Sequence, residues 1–243
     1  MFILVTAAPE RAAAQGQGGQ AAWLQMTVVN VEPAMVDEYV ALQRDIATRI
    51  RKGGPAWRTV SRSEIFGDSY RFIIINPVQN LASFDAAGRN PDPELTSLNS
   101  RATKYVKSQQ SFAIRTIPEI DNPLPQNQAP SLMIVNVAHV FPGKEQDYMN
   151  IMKSDFLPHF DKANFRHING SIAFGGESGF VHLFYIQNYA KLDEGSPVVK
   201  ALGAKGALDV TAKFSGIVTS EEKWIARVIP DLSYGPWSPA TRQ

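Results

Sequence analysis

The sequence contains no cysteine, which excludes disulfides, thiolate metal sites and cysteine nucleophiles. It has only four histidines, so a multi-histidine metal centre would use most of them. It also lacks an excess of charge of either sign, because 24 Lys and Arg stand against 23 Asp and Glu. Nucleic-acid-binding proteins normally carry a clear excess of basic residues, so this balance argues against a nucleic-acid partner.

The sequence has no apolar run near the roughly 18 residues that a membrane span requires. Its apolar start is short, and Ala12-Ala13-Ala14 resembles the small-residue site before signal-peptide cleavage, although no basic segment precedes it. We therefore predict that residues 1–22 form a signal-like or unstructured segment. Two locations stay open: periplasmic or secreted if the segment directs export, and cytoplasmic otherwise.

An internal repeat organises the remaining chain. Residues 31–39 align with residues 140–148, which lie 109 positions later and share a valine, a proline and a tyrosine. Near the end of each half, residues 115–120 align with residues 227–232 at a spacing of 112. The constant order and the nearly constant spacing predict a duplication.

Each half has the same pattern of elements: a strand, a helix, two strands, one or two helices and a final strand. This β-α-β-β-α-β order is the split-βαβ, or ferredoxin-like, arrangement. We predict a helix over 94–108 and final strands over 112–117 and 224–229. The predicted domains are a first repeat over 23–118, a proline-rich linker over 119–130, a second repeat over 131–230 and an irregular tail over 231–243.

The chain resembles, over both halves, the dimeric α/β-barrel superfamily, which includes NIPSNAP-like, EthD-like, stress-responsive barrel and antibiotic-biosynthesis monooxygenase families. The resemblance rests on Pro142-Gly143-Lys144-Glu145 after the first strand, on Tyr148 in the next helix and on two long strands. The first half departs from it, with Pro33-Ala34-Met35 at the equivalent place. The resemblance implies an α+β fold in which two tandem ferredoxin-like repeats pair their antiparallel sheets into one barrel, a pseudo-dimer. Exposed sheet edges in such barrels also suggest a homo-oligomer.

The haem-degrading members of this superfamily use an Asn on the first strand, a Trp on a later strand and a His on the second helix. Asn136 resembles the family's asparagine, but no Trp lies between positions 180 and 188 and no His between 191 and 214. We therefore predict no cofactor, disfavour haem, and interpret Asn136 as a polar barrel residue that contacts a ligand.

All four histidines fall in the second half: His139, His159, His167 and His182. His139 and His182 lie on predicted strands, where each is either a hydrogen-bonded core residue or a general base. Asp155 and His159 are four positions apart on a predicted helix and share a face. They are either a cavity-lining acid/base pair or an exposed pair. The catalytic candidates are His139, His159, Asp155 and His182.

Basic residues mark two predicted strands. Arg58 and Arg62 lie on one face of a strand in the first half, and Arg166 and His167 begin the matching strand of the second. They either bind an anionic small molecule or form a solvated strand face. Together with Asn136 they are the ligand-binding candidates, and no metal site is predicted.

Two functions of different classes remain. The first is a cofactor-independent monooxygenase or isomerase, in which a pocket His of the second repeat abstracts a proton and Arg or Asn holds the oxyanion. The alternative is a non-catalytic ligand-binding or assembly protein of the cell envelope. A haem-binding protein is a third, less favoured hypothesis.

Overall fold

The computed structural model describes residues 22–89 and 91–235. The predicted signal-like segment therefore lies almost entirely outside the described residues, as does most of the predicted tail. The eight strands are β1 (Trp23–Val31), β2 (Thr59–Ser63), β3 (Arg71–Val78), β4 (Val106–Thr116), β5 (Leu132–Val140), β6 (His167–Phe174), β7 (Gly179–Ile186) and β8 (Val218–Val228). The helices are α1 (Val36–Arg51), α2 (Ala82–Arg89), α3 (Pro93–Ala102), α4 (Glu145–Ile151), α5 (Leu157–Lys162), α6 (Ala190–Asp193) and α7 (Pro197–Ala212), with a π-helical turn (Met152–Phe156) between α4 and α5.

The strands close into one antiparallel barrel in the order β1-β3-β2-β8-β5-β7-β6-β4. Each half of the chain contributes four adjacent strands, β4-β1-β3-β2 from the first half and β8-β5-β7-β6 from the second. The two halves meet at two seams, where β2 pairs with β8 and β4 pairs with β6. The predicted α+β barrel is confirmed. Among the described helices, none is long and apolar enough to cross a membrane.

Side chains alternate between the barrel lumen and the layer beneath the helices, as the period of two along a strand requires. On β5, for example, Met133, Val135 and Val137 belong to the lumen core, whereas Ala138 and Val140 pack under the helices. The lumen core draws on both halves and is formed by Leu24, Met26, Ile73, Ile75, Phe112, Ile114, Met133, Val135, Val137, Ile172, Val181, Leu183 and Ala226. Below, the two sides of the sheet are called the lumen side and the helix side.

The final strand of each half begins earlier than predicted. The structure places β4 at Val106–Thr116 and β8 at Val218–Val228, and the helix predicted to residue 108 ends at Ala102. The added residues are mostly polar and exposed, so they show no buried alternation from which a strand is predicted. They form strands because they pair with β1 and β5 on one side.

Matching irregularities occur in both halves. The β1–β4 ladder shifts register between Asn30 and Val31, and the β5–β8 ladder shifts between His139 and Val140, which lie 109 positions later. An isolated bridge joins Arg58 to Tyr234, and another joins His167 to Asn122. The bulge positions and bridges thus follow the spacing of the sequence repeat.

Candidate functional site

The four histidines do not share one pocket. His139 lies on the lumen side of β5, because its ladder partners continue the side of Val137. His182 and His167 lie on the helix side of β7 and β6, and His159 lies in α5. The catalytic candidates of the sequence therefore divide among three places.

His182 is the centre of a buried hydrogen-bond network. Its Nε2 lies 2.7 Å from the Tyr148 hydroxyl, and its Nδ1 lies 2.7 Å from Oδ1 of Asn169. The amide nitrogen of Asn169 donates to the carbonyl oxygen of Ile120 (2.8 Å) and to Oδ1 of Asp121 (2.9 Å). The Asn169 oxygen must then accept from His182 Nδ1–H, so Nε2 accepts from Tyr148. The polar chain thus reaches the Asp121 carboxylate.

Burial determines the electrostatics of this network. It lowers the pKa of His182 to about 3, and the charges of His167 and Lys223 act in the same direction. Burial also raises the pKa of Tyr148 above its ordinary value, so both groups are neutral at pH 7. The Tyr148 ring stacks on Phe180 and packs against Phe214. The network therefore joins α4 to the sheet, and none of its ring nitrogens is available to a ligand.

His167 and Arg166 attach the predicted linker to the second sheet. The Nδ1 and Nε2 of His167 lie 2.7 Å and 2.9 Å from the carbonyl oxygens of Phe165 and Ile120. Arg166 donates to the side chain of Asn122 and to the Pro123 carbonyl. Both residues thus have protein partners, and they do not meet Arg58 or Arg62 in one site.

Asp155 and His159 lie at the edge of an apolar helix face. Asp155 is in the π-helical turn, where it binds Lys213 Nζ at 2.5 Å, and this hydrogen bond is the main cause that lowers its pKa. Met152 and Phe160 turn inward and are buried, whereas Asp155 and His159 are half-buried. Asp155 lies 109 positions after Ile46, which is buried in α1. Because α1 has no matching π turn, the repeat spacing does not give Asp155 the inward direction of Ile46.

Asn136 lies on the helix side of β5, opposite to the lumen. Its Nδ2 donates to Glu221 at 3.0 Å, and its Oδ1 is buried with no hydrogen-bond partner among the described residues. Arg62 also lies on the helix side, in its case on β2: Nε donates to the Ser69 carbonyl, and the guanidinium lies over Phe72.

A second group of polar residues faces the barrel lumen, at the end where β1, β2 and β5 finish. We call it the lumen mouth. It consists of five lumen-side residues from both halves: Asn30, Ser63, Arg71, His139 and Trp224. The apolar lumen core lies below them and gives the mouth a hydrophobic floor.

Arg71 is positioned by two neighbours. Its guanidinium carbon lies 4.7 Å from the centroid of the Trp224 ring, a cation–π contact, and its Nε donates to Oδ1 of Asn30 at 3.2 Å. Asn30 is itself held by Ser108 at 2.8 Å. No acceptor among residues 22–89 and 91–235 binds the two terminal nitrogens of Arg71, so they can receive an anionic oxygen.

Two polar atoms of the lumen mouth are buried without a partner in the described structure, Ser63 Oγ and His139 Nδ1. A buried polar group left unpaired costs about 1–3 kcal/mol, so a water or a ligand is expected on each. His139 also lies beside the β5 bulge, and bulges often re-aim side chains near active sites.

The residues Asn30, Ser63, Arg71 and Trp224 were missed by sequence reasoning. They come from β1, β2, β3 and β8, and closure of the barrel alone brings them together. The available signal was weak: a polar residue at a lumen position of a strand that is otherwise apolar, such as Arg71 before Ile73 and Ile75.

Arg58 lies at a different place, on the helix side beneath α1, and is 4% exposed. Its Nη1 donates to Asn76 Oδ1 at 3.3 Å and its Nη2 to Gln43 Oε1 at 3.0 Å. Burial lowers the pKa of Arg58. Neither acceptor is charged, so the guanidinium has no ion pair in the described structure.

An open cavity of about 230 Å³ lies against β1 and β4, next to α2. Its larger lining side chains are apolar: Trp23, Leu24, Val78, Leu81, Phe84, Phe112 and Phe174. In the part of the chain that the structure describes, no group of three or more His, Asp or Glu could hold a metal ion.

The buried histidines and Tyr148 beneath the helices of the second half offer no free axial ligand for haem. Haem iron takes an axial His, Cys, Met or Tyr ligand. The ring nitrogens of His167 and His182 all have protein partners, and the Tyr148 hydroxyl donates to His182.

Comparison with known proteins shows the fold. No family model matches the sequence, and no curated protein matches it. A candidate monooxygenase from Lactobacillus acidophilus NCFM has a similar structure, with a TM-score of 0.60 and 9% identity over 89% of this chain and 97% of that one. A second, from Fusobacterium nucleatum, has a TM-score of 0.63 and 12% identity over 86% and 93%. A chlorite dismutase from Candidatus Nitrospira defluvii has a TM-score of 0.57 and 6% identity over 88% and 94%. The chain therefore shares the α/β-barrel fold of these proteins.

Proposed function

We propose that the protein binds a small organic molecule at the lumen mouth and that His139 is the general base there. The observation that carries the proposal is the buried, unpartnered Nδ1 of His139 on the lumen side. His182 and His167 have no free ring nitrogen, and His159 lies on a half-exposed helix edge. His139 is thus the histidine best placed to act on a bound molecule.

The chemistry that fits is proton abstraction from a carbon next to a carbonyl. The C–H proton passes to His139, and the electron pair moves through the carbon to the carbonyl oxygen, which becomes an enolate. The free terminal nitrogens of Arg71 can donate to that oxyanion. Return of the proton to another carbon gives an isomer. With dioxygen as co-substrate, a CH₂ group and O₂ give a carbonyl group and water.

The candidate monooxygenases of the same fold support a small-molecule reaction of this kind, although they share only 9% and 12% identity with the chain. The matched bulges and bridges of the two halves support a duplication of one ferredoxin-like unit, with repeats over 23–118 and 131–230. Membership in the NIPSNAP-like or EthD-like families is part of the same proposal.

The substitution His139→Gln tests whether His139 is the general base. Incubation of the wild-type protein in D₂O with a panel of enolisable aromatic ketones should accelerate deuterium incorporation at carbon, measured by NMR. We expect the variant to lose about 10²–10⁴ of that acceleration, because Gln cannot take the proton. His159→Gln is the matched control and should retain the wild-type rate.

Equal rates in the wild type and His139→Gln would contradict the proposal. A wild-type rate that needs no dioxygen supports an isomerase, and consumption of dioxygen with formation of a carbonyl supports a monooxygenase.

Passive binding is the second candidate, and the open apolar cavity beside α2 favours it. A protein that only carries or senses an apolar molecule needs no base. Ligand binding without deuterium exchange, together with loss of binding in Phe84→Ala, would support this function instead. Its place in the cell envelope remains tied to the predicted signal-like segment.

A further inference from the structure

We propose that Arg58 and Tyr234 form a second binding site, independent of the lumen mouth, for a small monoanion such as a halide or the carboxylate of a small acid. We call it the Arg58 site. Arg58 and Tyr234 are antiparallel bridge partners, with backbone hydrogen bonds of 2.7 Å and 2.9 Å in both directions. Directly paired residues project their side chains to the same face of the sheet.

The Arg58 site holds two buried polar atoms that have no partner in the described structure, Nε of Arg58 and the hydroxyl oxygen of Tyr234. Both groups can donate a hydrogen bond, so one acceptor atom between them would satisfy both. Two donors that are buried on one face of the sheet without an acceptor describe a site for an anion better than a site for a cation.

The charge balance points the same way. Arg58 is 4% exposed and has only the neutral acceptors Asn76 and Gln43. Arg51 adds a second cation, with its guanidinium carbon 5.1 Å from the Tyr234 ring centroid. Removing a cation from water without a counter-ion costs several kcal/mol. The region therefore has a positive potential that an entering anion would relieve.

The acidic side chain of the neighbouring turn, Asp231, does not supply that counter-ion. Asp231 pairs with Arg44 at 3.6 Å, and its side chain is 69% exposed. No ion pair of Arg58 occurs among the described residues.

The bridge between His167 and Asn122 has a carboxylate beside it that the Arg58 site lacks. His167 corresponds to Arg58 and Asn122 to Tyr234 in the two isolated bridges. Beside the bridge of His167, Asp121 Oδ1 accepts from the backbone N–H of Asn169 at 2.6 Å. At the equivalent place, the acceptor for the N–H of Val60 is Ser233 Oγ, at 3.0 Å. A carboxylate thus stands beside His167 where the Arg58 site has only a hydroxyl.

The test uses sodium bromide as the anion probe and sodium gluconate, whose anion is too bulky for an enclosed site, at equal ionic strength. We expect bromide to raise Tm by about 3–5 °C at tenfold excess over its Kd, beyond the gluconate value. Arg58→Gln should lose this increment, whereas Arg62→Gln, the control on the same side of the sheet in β2, should keep it. If Arg58→Gln does not fold, Tyr234→Phe is the second variant. It should reduce the bromide increment in Tm, because it removes one of the two donors.

Two further measurements test whether an anion occupies the Arg58 site. Crystals grown in bromide should show an anomalous peak within hydrogen-bonding distance of Arg58 Nε. The substitution Ser233→Asp should raise Tm without bromide and remove the bromide increment, because it supplies the carboxylate that Asp121 supplies in the other half. Sodium formate in place of bromide tells whether carboxylates also enter.

Absence of the peak together with a flat Tm would overturn the proposal, since water would then satisfy both atoms. An equal bromide increment in Arg58→Gln and in the wild type would also overturn it, because the effect would be a general salt effect.

Discussion

At the scale of the residue, His182 links burial to acid sensitivity. Its pKa is about 3 in the folded protein and 6.5 for an unperturbed histidine, so the folded state binds fewer protons than the unfolded state. The contribution of neutral His182 to the free energy of unfolding is therefore complete above pH 6.5. It is lost as the pH falls from 6.5 toward 3, because the unfolded state then takes up the proton first. We expect His182 alone to reduce the free energy of unfolding by about 2 kcal/mol between pH 7 and pH 5.

Urea unfolding of the wild type and His182→Gln across this range measures the effect. Most carboxylates titrate below pH 5, so the comparison isolates the histidine. The variant is expected to be less stable at pH 7 but to show a shallower pH dependence. His159→Gln should follow the wild type. Parallel pH profiles for His182→Gln and the wild type would show that His182 remains protonatable when folded.

At the scale of the element, the β4–β6 seam depends on a glycine. A Cβ added at Gly170 would lie 2.3 Å from Ile114 Cγ2 and 2.8 Å from the Arg115 carbonyl oxygen. Gly170→Ala should therefore destabilise the protein by about 1–3 kcal/mol through overpacking between paired strands. Denaturant unfolding measures this loss. Gly88→Ala is the control, because a Cβ there meets nothing within 4 Å and Ala favours a helix. Equal free energies of unfolding for the two variants would mean that β4 and β6 accommodate the added methyl group without destabilisation.

Elements were predicted well where burial alternates and poorly where it does not. The spacing of Val36, Tyr39 and Ile46 predicts a helix there, and the structure buries all three side chains in α1. The polar starts of β4 and β8 carry no such pattern, and their structure depends on pairing with distant strands. The π-helical turn was not predicted from the sequence.

At the scale of the whole molecule, one core serves both halves. The lumen core contains residues of β1, β3 and β4 together with residues of β5 to β8. We therefore expect a single cooperative unfolding transition, with coincident midpoints from tryptophan fluorescence and far-UV circular dichroism. Two separate midpoints would instead show that each repeat unfolds as its own unit.

A homo-oligomer that pairs through β4 and β8 remains a proposal. The first residues of these strands pair with a neighbour on one side only, and they carry charges such as Lys107, Glu221 and Glu222. Charges of this kind weaken pairing between strand edges.

The sequence by itself predicted the class of fold and showed the one-sided placement of the four histidines, because these depend on local periodicity and on position along the chain. The tertiary structure decided which histidine faces the lumen. His139 and His182 both lie on strands of the second half, and they differ only in the side of the sheet to which they turn. It also brought Arg71, Trp224 and Ser63 to the same mouth as His139 and left Arg58 without a carboxylate. Closure of the barrel sets these relations, since it joins strands that are far apart in the chain.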